Sequence, residues 1–320
     1  MNNYSLLDQF LHRIALSSNY FKEICYDLEK SIFLDDDYGT RDNYVFVSGL
    51  ARSGTTILLN ALFETKDFSS ITYENMPFIV SPNLWSKINS ANKNYESKFR
   101  AHDDGIKISV KSPEALEEVF WSINDHKDMD SFEEFKKFTS LVLKSCSGQR
   151  YLSKNNQNIK RIRLLHQNFT NSLILIPFRN PLQHSFSLLN QHHYFIKIQE
   201  KDKFIRNYMK WIGHFEFGKD YIPFFEGEYK VKSFSSINHW LEQWKLLYES
   251  LIDLKLKKRI FFVCYEKLCN SNDYWQDIQS FIGVKNFSQF AFTLSEKKIE
   301  IDFDEDLYKS CLEIYNNLKN

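Results

Sequence analysis

Nowhere do the 320 residues of this chain string together 18 apolar side chains, the minimum for a helix that crosses a bilayer. The opening stretch "MNNYSLLDQFLHRIALSSNYF" carries polar or charged residues every few positions and has no continuous apolar run of the kind a secretory leader needs. Charge imbalance is missing too. Lys plus Arg and Asp plus Glu both total 41, so no overall field draws the chain to nucleic acid or to an anionic membrane, and any anion site must be built locally. The five cysteines (Cys25, Cys146, Cys264, Cys269, Cys311) are odd in number and never form a CxxC pair, which argues against a disulfide framework or a zinc site and for buried free thiols. Together these absences predict a cytoplasmic protein with no membrane span.

Proline and glycine are scarce, six and nine in all, and never cluster into a linker. The expectation is a single domain over 1–320, with a helical N-terminal segment to about residue 40 and a helical insertion over about 197–255. What the chain does have is apolar mass: 43% hydrophobic and 16% aromatic residues suffice for a large core. Helical spacing runs through 5–32, and Ser112-Pro113 and Ser131 with Glu134 read as helix starts for 112–124 and 131–146. Further helices are expected over 156–168, 181–196, 202–218, 235–255, 272–282 and 305–318. Strands are expected at "NYVFVSG", "YLSKN", "NSLILIPF" and "RIFFVCY". Such alternation implies an α/β fold with a central, mostly parallel sheet flanked by helices and a site at the carboxyl ends of the strands.

The stretch "VFVSGLARSGTTILLNALFE" (45–64) has the strand, glycine-framed turn and helix of a phosphate-binding loop, with Gly49 and Gly54 at the right spacing. It lacks the lysine of that loop, since Thr55 and Thr56 follow Gly54. Backbone N–H groups of Ser53, Gly54, Thr55 and Thr56 at a helix start still suit an anion. Without the lysine the case for a triphosphate with Mg²⁺ weakens. Arg52 places a permanently charged fork at the mouth of the turn instead.

"GLARSGTT" resembles the 5′-phosphosulfate loop of sulfotransferases, enzymes that use 3′-phosphoadenosine 5′-phosphosulfate (PAPS). The resemblance implies the P-loop-like sulfotransferase fold and a second motif, an arginine after a central strand with a serine eight residues on, both holding the nucleotide 3′-phosphate. "LILIPFRNPLQHSFSLLN" supplies Arg179 and Ser187. "YLSKNNQNIKRIRLLHQNF" resembles the lysine segment of carbohydrate and protein-tyrosine sulfotransferases, which makes Lys154 the group beside the leaving phosphate, with Asn156 where that segment often has proline. Family members carry a catalytic base downstream of the first loop. Glu74 in "SSITYENMPF" is the candidate here, with His102 the first histidine to follow. "FFVCYEKLCNSNDYWQDIQSFIGV" resembles the late strand and helix, so the likeness spans about 44–283, and no family motif falls within 197–245.

The resemblance thus implies an enzyme that moves a sulfuryl group from PAPS to an acceptor hydroxyl without a metal. Glu74, Lys154 and Arg52 would be catalytic, while Arg52, Ser53, Gly54, Thr55, Thr56, Arg179 and Ser187 would bind the nucleotide. Trp211, Trp240 and Trp244 suit the apolar faces of sugar rings, which favours a carbohydrate or glycan-precursor acceptor. Two other classes stay open on the residues: a nucleotide kinase or NTPase with a degenerate loop, and a non-catalytic nucleotide-binding module.

Overall fold

The computed structural model describes residues 4–39, 42–89, 98–99, 107–109, 111–124, 129–225 and 227–320. Its strands are β1 (Val45–Val47), β2 (Lys98–Phe99), β3 (Lys107–Ile108), β4 (Leu152–Lys154), β5 (Leu173–Phe178) and β6 (Ile260–Cys264). Its helices are α1 (Leu6–Ser17), α2 (Asn19–Phe33), α3 (Thr55–Glu64), α4 (Pro82–Ile88), α5 (Glu118–Trp121), α6 (Met129–Ser145), α7 (Asn158–Asn168), α8 (Pro181–Lys201), α9 (Lys203–Trp211), α10 (Ile237–Glu249), α11 (Tyr265–Asn270), α12 (Asn272–Ile282) and α13 (Glu305–Lys319).

Among the described residues, the central sheet has the order β4-β1-β5-β6 with every pairing parallel, and β2 and β3 form a separate antiparallel pair. A parallel sheet is stable when both faces are covered, and β1 shows how the sequence meets that need. Successive side chains of a strand point to opposite faces. Phe46 enters a core shared with Ile174, Ile176, Trp240 and Trp244. Val45 and Val47 enter a second core with Leu58, Leu62, Leu175 and Ile278. The helices α3 and α12 thus cover one face, and α10 the other.

The register aligns Val47 with both Lys154 and Leu175, so the ends of β4, β1 and β5 open onto the same edge of the sheet. Of the helices that follow, α8 has a side-chain cap. Asn180 Oδ1 accepts the N–H groups of Leu182 and Gln183, both at 3.1 Å, ahead of Pro181 in the first turn of α8. Gly54 begins α3 from the left-handed region, φ 100°.

Four expected helices differ from the structure. The span 5–32 is two helices, because Ser18 leaves helical geometry and its hydroxyl accepts the N–H of Phe21 as a new cap. The expected start at Ser112-Pro113 is not helical: Thr72 and Pro113 pair in an isolated bridge, Glu114 N–H donates to the Ile71 carbonyl, and helix begins only at Glu118. Ser131 lies inside α6, which begins at Met129. The span 202–218 is helical only to Trp211, since Gly213 and Gly218 take positive φ and bend the chain into a loop. Of the thiols, Cys264 and Cys311 are buried as expected, whereas Cys146 is exposed.

Candidate active site

The turn after β1 is set by two glycines for different reasons. A Cβ on Gly49 would lie 2.8 Å from the Pro177 carbonyl oxygen, so the neighbouring strand leaves it no room. One on Gly54 would lie 2.9 Å from the ring of Tyr265. Arg52 also has positive φ, 70°, a conformation that costs a non-glycine residue on the order of 1–3 kcal/mol and tends to be kept where it serves a site. Ser53 is fully buried, and its N–H and hydroxyl both donate to the Leu50 carbonyl, so it shapes the turn from within. The first-turn N–H groups of α3 have no partner inside the helix and carry its positive dipole end.

Arg52, Gly54, Thr55, Thr56, Lys154, Arg179 and Ser187 line a single cavity of about 390 Å³. Arg52 Nε donates to Ser187 Oγ at 3.2 Å, which joins the first turn to α8. Tyr265 joins them a second time: its ring packs against Gly54 and lies 4.8 Å beneath the Arg179 guanidinium, within cation–π reach. Burial pushes the Tyr265 hydroxyl up to about 12, so it stays protonated and donates to the Thr293 carbonyl at 2.9 Å.

Arg179 is 7% exposed, and one of its terminal nitrogens donates to the Ser295 carbonyl. Its Nε is buried and has no hydrogen-bond partner among the described residues. An orphaned donor on a buried cation is costly unless an anion completes it, so the residue suits a phosphate. Behind the turn, His184 Nε2 donates to the Ala51 carbonyl at 2.8 Å. Burial, and then the charges of Arg179 and Arg52, hold this imidazole down at about 3, although the carbonyl pulls the other way. It is therefore a neutral strut for the turn.

Lys154 ends β4 almost fully buried, with its ammonium 3.7 Å from Glu114 Oε1. Glu114 Oε2 accepts the hydroxyl of Tyr73 at 2.7 Å. Glu74 is next in sequence but does not follow Tyr73 inward. It is exposed on a short 3-10 turn (Tyr73–Asn75), its carbonyl accepts the indole N–H of Trp85, and it is not among the residues lining the cavity. His102 lies outside the described residues.

Sequence reasoning did not assign the opposite wall. Phe195, Met209, His214, Glu216 and Phe217 line it, and Asn156, noted from sequence only for replacing a proline, bridges the two sides. Thr55 Oγ1 donates to Asn156 Oδ1 at 3.3 Å, and Asn156 Nδ2 donates to Glu216 Oε1 at 3.5 Å. The available signal was the pair of glycines around "GHFEFG", 213–218. Trp240 and Trp244 are fully buried in the core and offer no stacking face.

The arrangement places four cations, Arg52, Lys154, Arg179 and Lys297, and a helix N-terminus around one space, which can hold two anionic groups of one molecule and offset charge on a group passing between them. No helix among the described residues is long and apolar enough to cross a membrane.

Comparison with known proteins agrees with this geometry. The model of the sulfotransferase family matches residues 44–216, more than half of the chain, including both turns. No curated protein matches the chain in sequence. Among solved structures, sulfotransferase STF1 from Mycobacterium tuberculosis H37Rv is similar over 98% of this chain and 86% of its own, with a TM-score of 0.54 at 11% identity, a likeness of fold. Sulfotransferase STF9 from Mycobacterium avium covers 88% of this chain and 74% of its own at 12% identity and a TM-score of 0.49. The chain belongs to the PAPS-dependent sulfotransferase family.

Proposed function

We propose that this sulfotransferase delivers the sulfuryl group of PAPS to a hydroxyl of a carbohydrate or glycan precursor, and that Arg52, Lys154, Arg179 and Ser187 carry the donor. The observation that supports the reading is the meeting of all four in one cavity. Arg179 and Ser187 hold the 3′-phosphate. The first-turn amides of α3, with Gly54, Thr55 and Thr56, hold the 5′-phosphosulfate, and Ser53 keeps their turn in shape. Arg52 offsets charge on the equatorial oxygens of the sulfuryl group in flight, and Lys154 stabilises the phosphate oxygen that leaves. The protein's share is positioning and charge stabilisation.

For the acceptor, the polar groups of Asn156, His214 and Glu216 beside Phe195 and Phe217 suit a molecule with both hydroxyls and apolar faces, as a sugar has. For the base, sequence favours Glu74 and position favours Glu216.

The test is transfer of radiolabelled sulfate from PAPS to a panel of methyl glycosides, a tyrosine peptide and a simple phenol. Label on a glycoside supports the reading; label on the peptide or the phenol alone replaces the acceptor class. ATP-dependent phosphorylation in place of sulfation would return the kinase reading.

A further inference from the structure

The loop Gly213–Gly218 carries one carboxylate on a backbone pinned at both ends. Gly213 (φ 73°) and Gly218 (φ 87°) bend the chain at either end. Neither place admits a side chain, since a Cβ would lie 2.6 Å from Glu118 Cβ at the first and 2.4 Å from the Gln199 amide oxygen at the second. Between them, His214 N–H donates to the Met209 carbonyl at 2.9 Å and His214 Nε2 to the Ala115 carbonyl at 2.8 Å. Phe217 stacks on Phe195 with centroids 6.1 Å apart and planes 12° from parallel. Beyond them, Gly218 N–H donates to His192 Nδ1 and Lys219 N–H to Gln199 Oε1. These contacts fix the backbone on both sides of Glu216, the support that a catalytic position needs.

Glu216 is the only carboxylate among the described residues that line the cavity, and it is 4% exposed. A buried carboxylate normally collects several donors. Glu216 has one, the Asn156 amide at 3.5 Å, a long contact, and its Oε2 takes no hydrogen bond from a described residue. The same Asn156 accepts from Thr55 in the first turn of α3, so two hydrogen bonds separate Glu216 from the loop that holds the phosphosulfate.

The geometry points to Glu216 as the general base of the transfer, an assignment that rests on the reading of the cavity as the PAPS site. Its Oε2 takes the proton of the acceptor hydroxyl as that oxygen attacks sulfur. The new S–O bond forms while the bond from sulfur to the 5′-phosphate oxygen breaks, the electron pair stays on that phosphate oxygen beside Lys154, and Glu216 then returns its proton to solvent. Asn156 is a positioning residue that sets the carboxylate against the loop.

The test compares Glu216→Gln, Glu74→Gln and His214→Asn with wild type in two measurements: calorimetric affinity for PAP, and release of labelled sulfate from PAPS to methyl glycosides and to water. Glu216→Gln keeps PAP affinity within about twofold and loses turnover by about 10²–10⁴, the range for removing a general base. Glu216→Asp recovers part of that loss, Glu74→Gln, whose side chain lies outside the cavity, stays within about threefold of wild type, and His214→Asn raises the acceptor KM without that loss of turnover. Wild-type turnover in Glu216→Gln, or the large loss appearing in Glu74→Gln or His214→Asn instead, overturns the assignment. Joint loss of PAP affinity and turnover in Glu216→Gln makes the residue structural and overturns it as well. A wild type that binds PAP yet moves label to no acceptor overturns the transfer reading itself, and one that does not bind PAP overturns the site.

Discussion

At the scale of single residues, the site is held by a few groups with no slack. Arg179 is the plainest case, a buried guanidinium whose Nε is unmatched among the described residues. Removing a buried charge that meets an opposite charge costs about 2 kcal/mol or more. Arg179→Ala should therefore weaken PAP binding at least tenfold by calorimetry, and unchanged affinity would take the arginine out of the nucleotide site. Gly54 gives a second test, because a side chain there meets both a positive φ and the ring of Tyr265. Gly54→Ala should cost about 1–3 kcal/mol, read as a lower melting temperature together with weaker PAP binding. A variant with wild-type melting and affinity would mean that the turn relaxes freely. Arg52, Lys154, Arg179 and Ser187 were legible in the sequence because each sits at a fixed offset from a strand end or a glycine. Glu216 was not: its place depends on a loop that only tertiary contacts with Glu118, Gln199 and Phe195 define.

At the scale of elements, the four strands of the central sheet were the most legible, since short apolar runs set between helical patterns have few alternatives, whereas β2 and β3 carried no such signal. Helices failed where a local signal was ambiguous. Ser18 reads equally as an interior residue or a cap, and packing makes it a cap. Ser112-Pro113 looks like a helix start but is taken by the bridge to Thr72. His184 ties α8 to the first turn and gives an element-scale prediction. Its folded value is about 3 against an ordinary 6.5, so between those limits the unfolded chain binds a proton that the folded chain refuses. The stability it confers is complete above about pH 6.5 and declines as pH falls toward 3, by about 1.4 kcal/mol per pH unit. Glu117, pushed up to about 7 by burial, titrates in the opposite sense, and His192, held down at about 4 by burial, in the same sense, so the curve of the whole protein sums these and other groups. His184→Gln isolates the first component: in denaturant titrations from pH 4.5 to 6.5 the slope of stability against pH should be lower than wild type by about 1.4 kcal/mol per pH unit. Equal slopes would mean that the imidazole is not held neutral.

At the scale of the whole molecule, two apolar layers clamp a parallel sheet whose strand ends share one edge, and the nucleotide should add to that clamp. At 100 times its Kd a ligand stabilises the folded state by about 2.7 kcal/mol, which for a chain of this length corresponds to a rise of about 4 °C in melting temperature. PAP should produce that shift. ATP and GTP, which lack a 3′-phosphate for Arg179 and Ser187, should produce less at equal concentration. Equal shifts from all three would mean that the second turn does not read the nucleotide.

The pairing of β1 with β5 has a consequence for how such a chain can change. The two turns that line the cavity hang from neighbouring strands, so their separation is governed by the ladder spacing of about 4.8 Å, fixed at contacts such as Ser48 N–H to the Leu175 carbonyl. Neither turn can gain a residue without losing its gauge on the donor. The glycine-hinged loop across the cavity has no such ruler. On the proposed function, acceptor preference can be retooled there while the donor socket stays as it is.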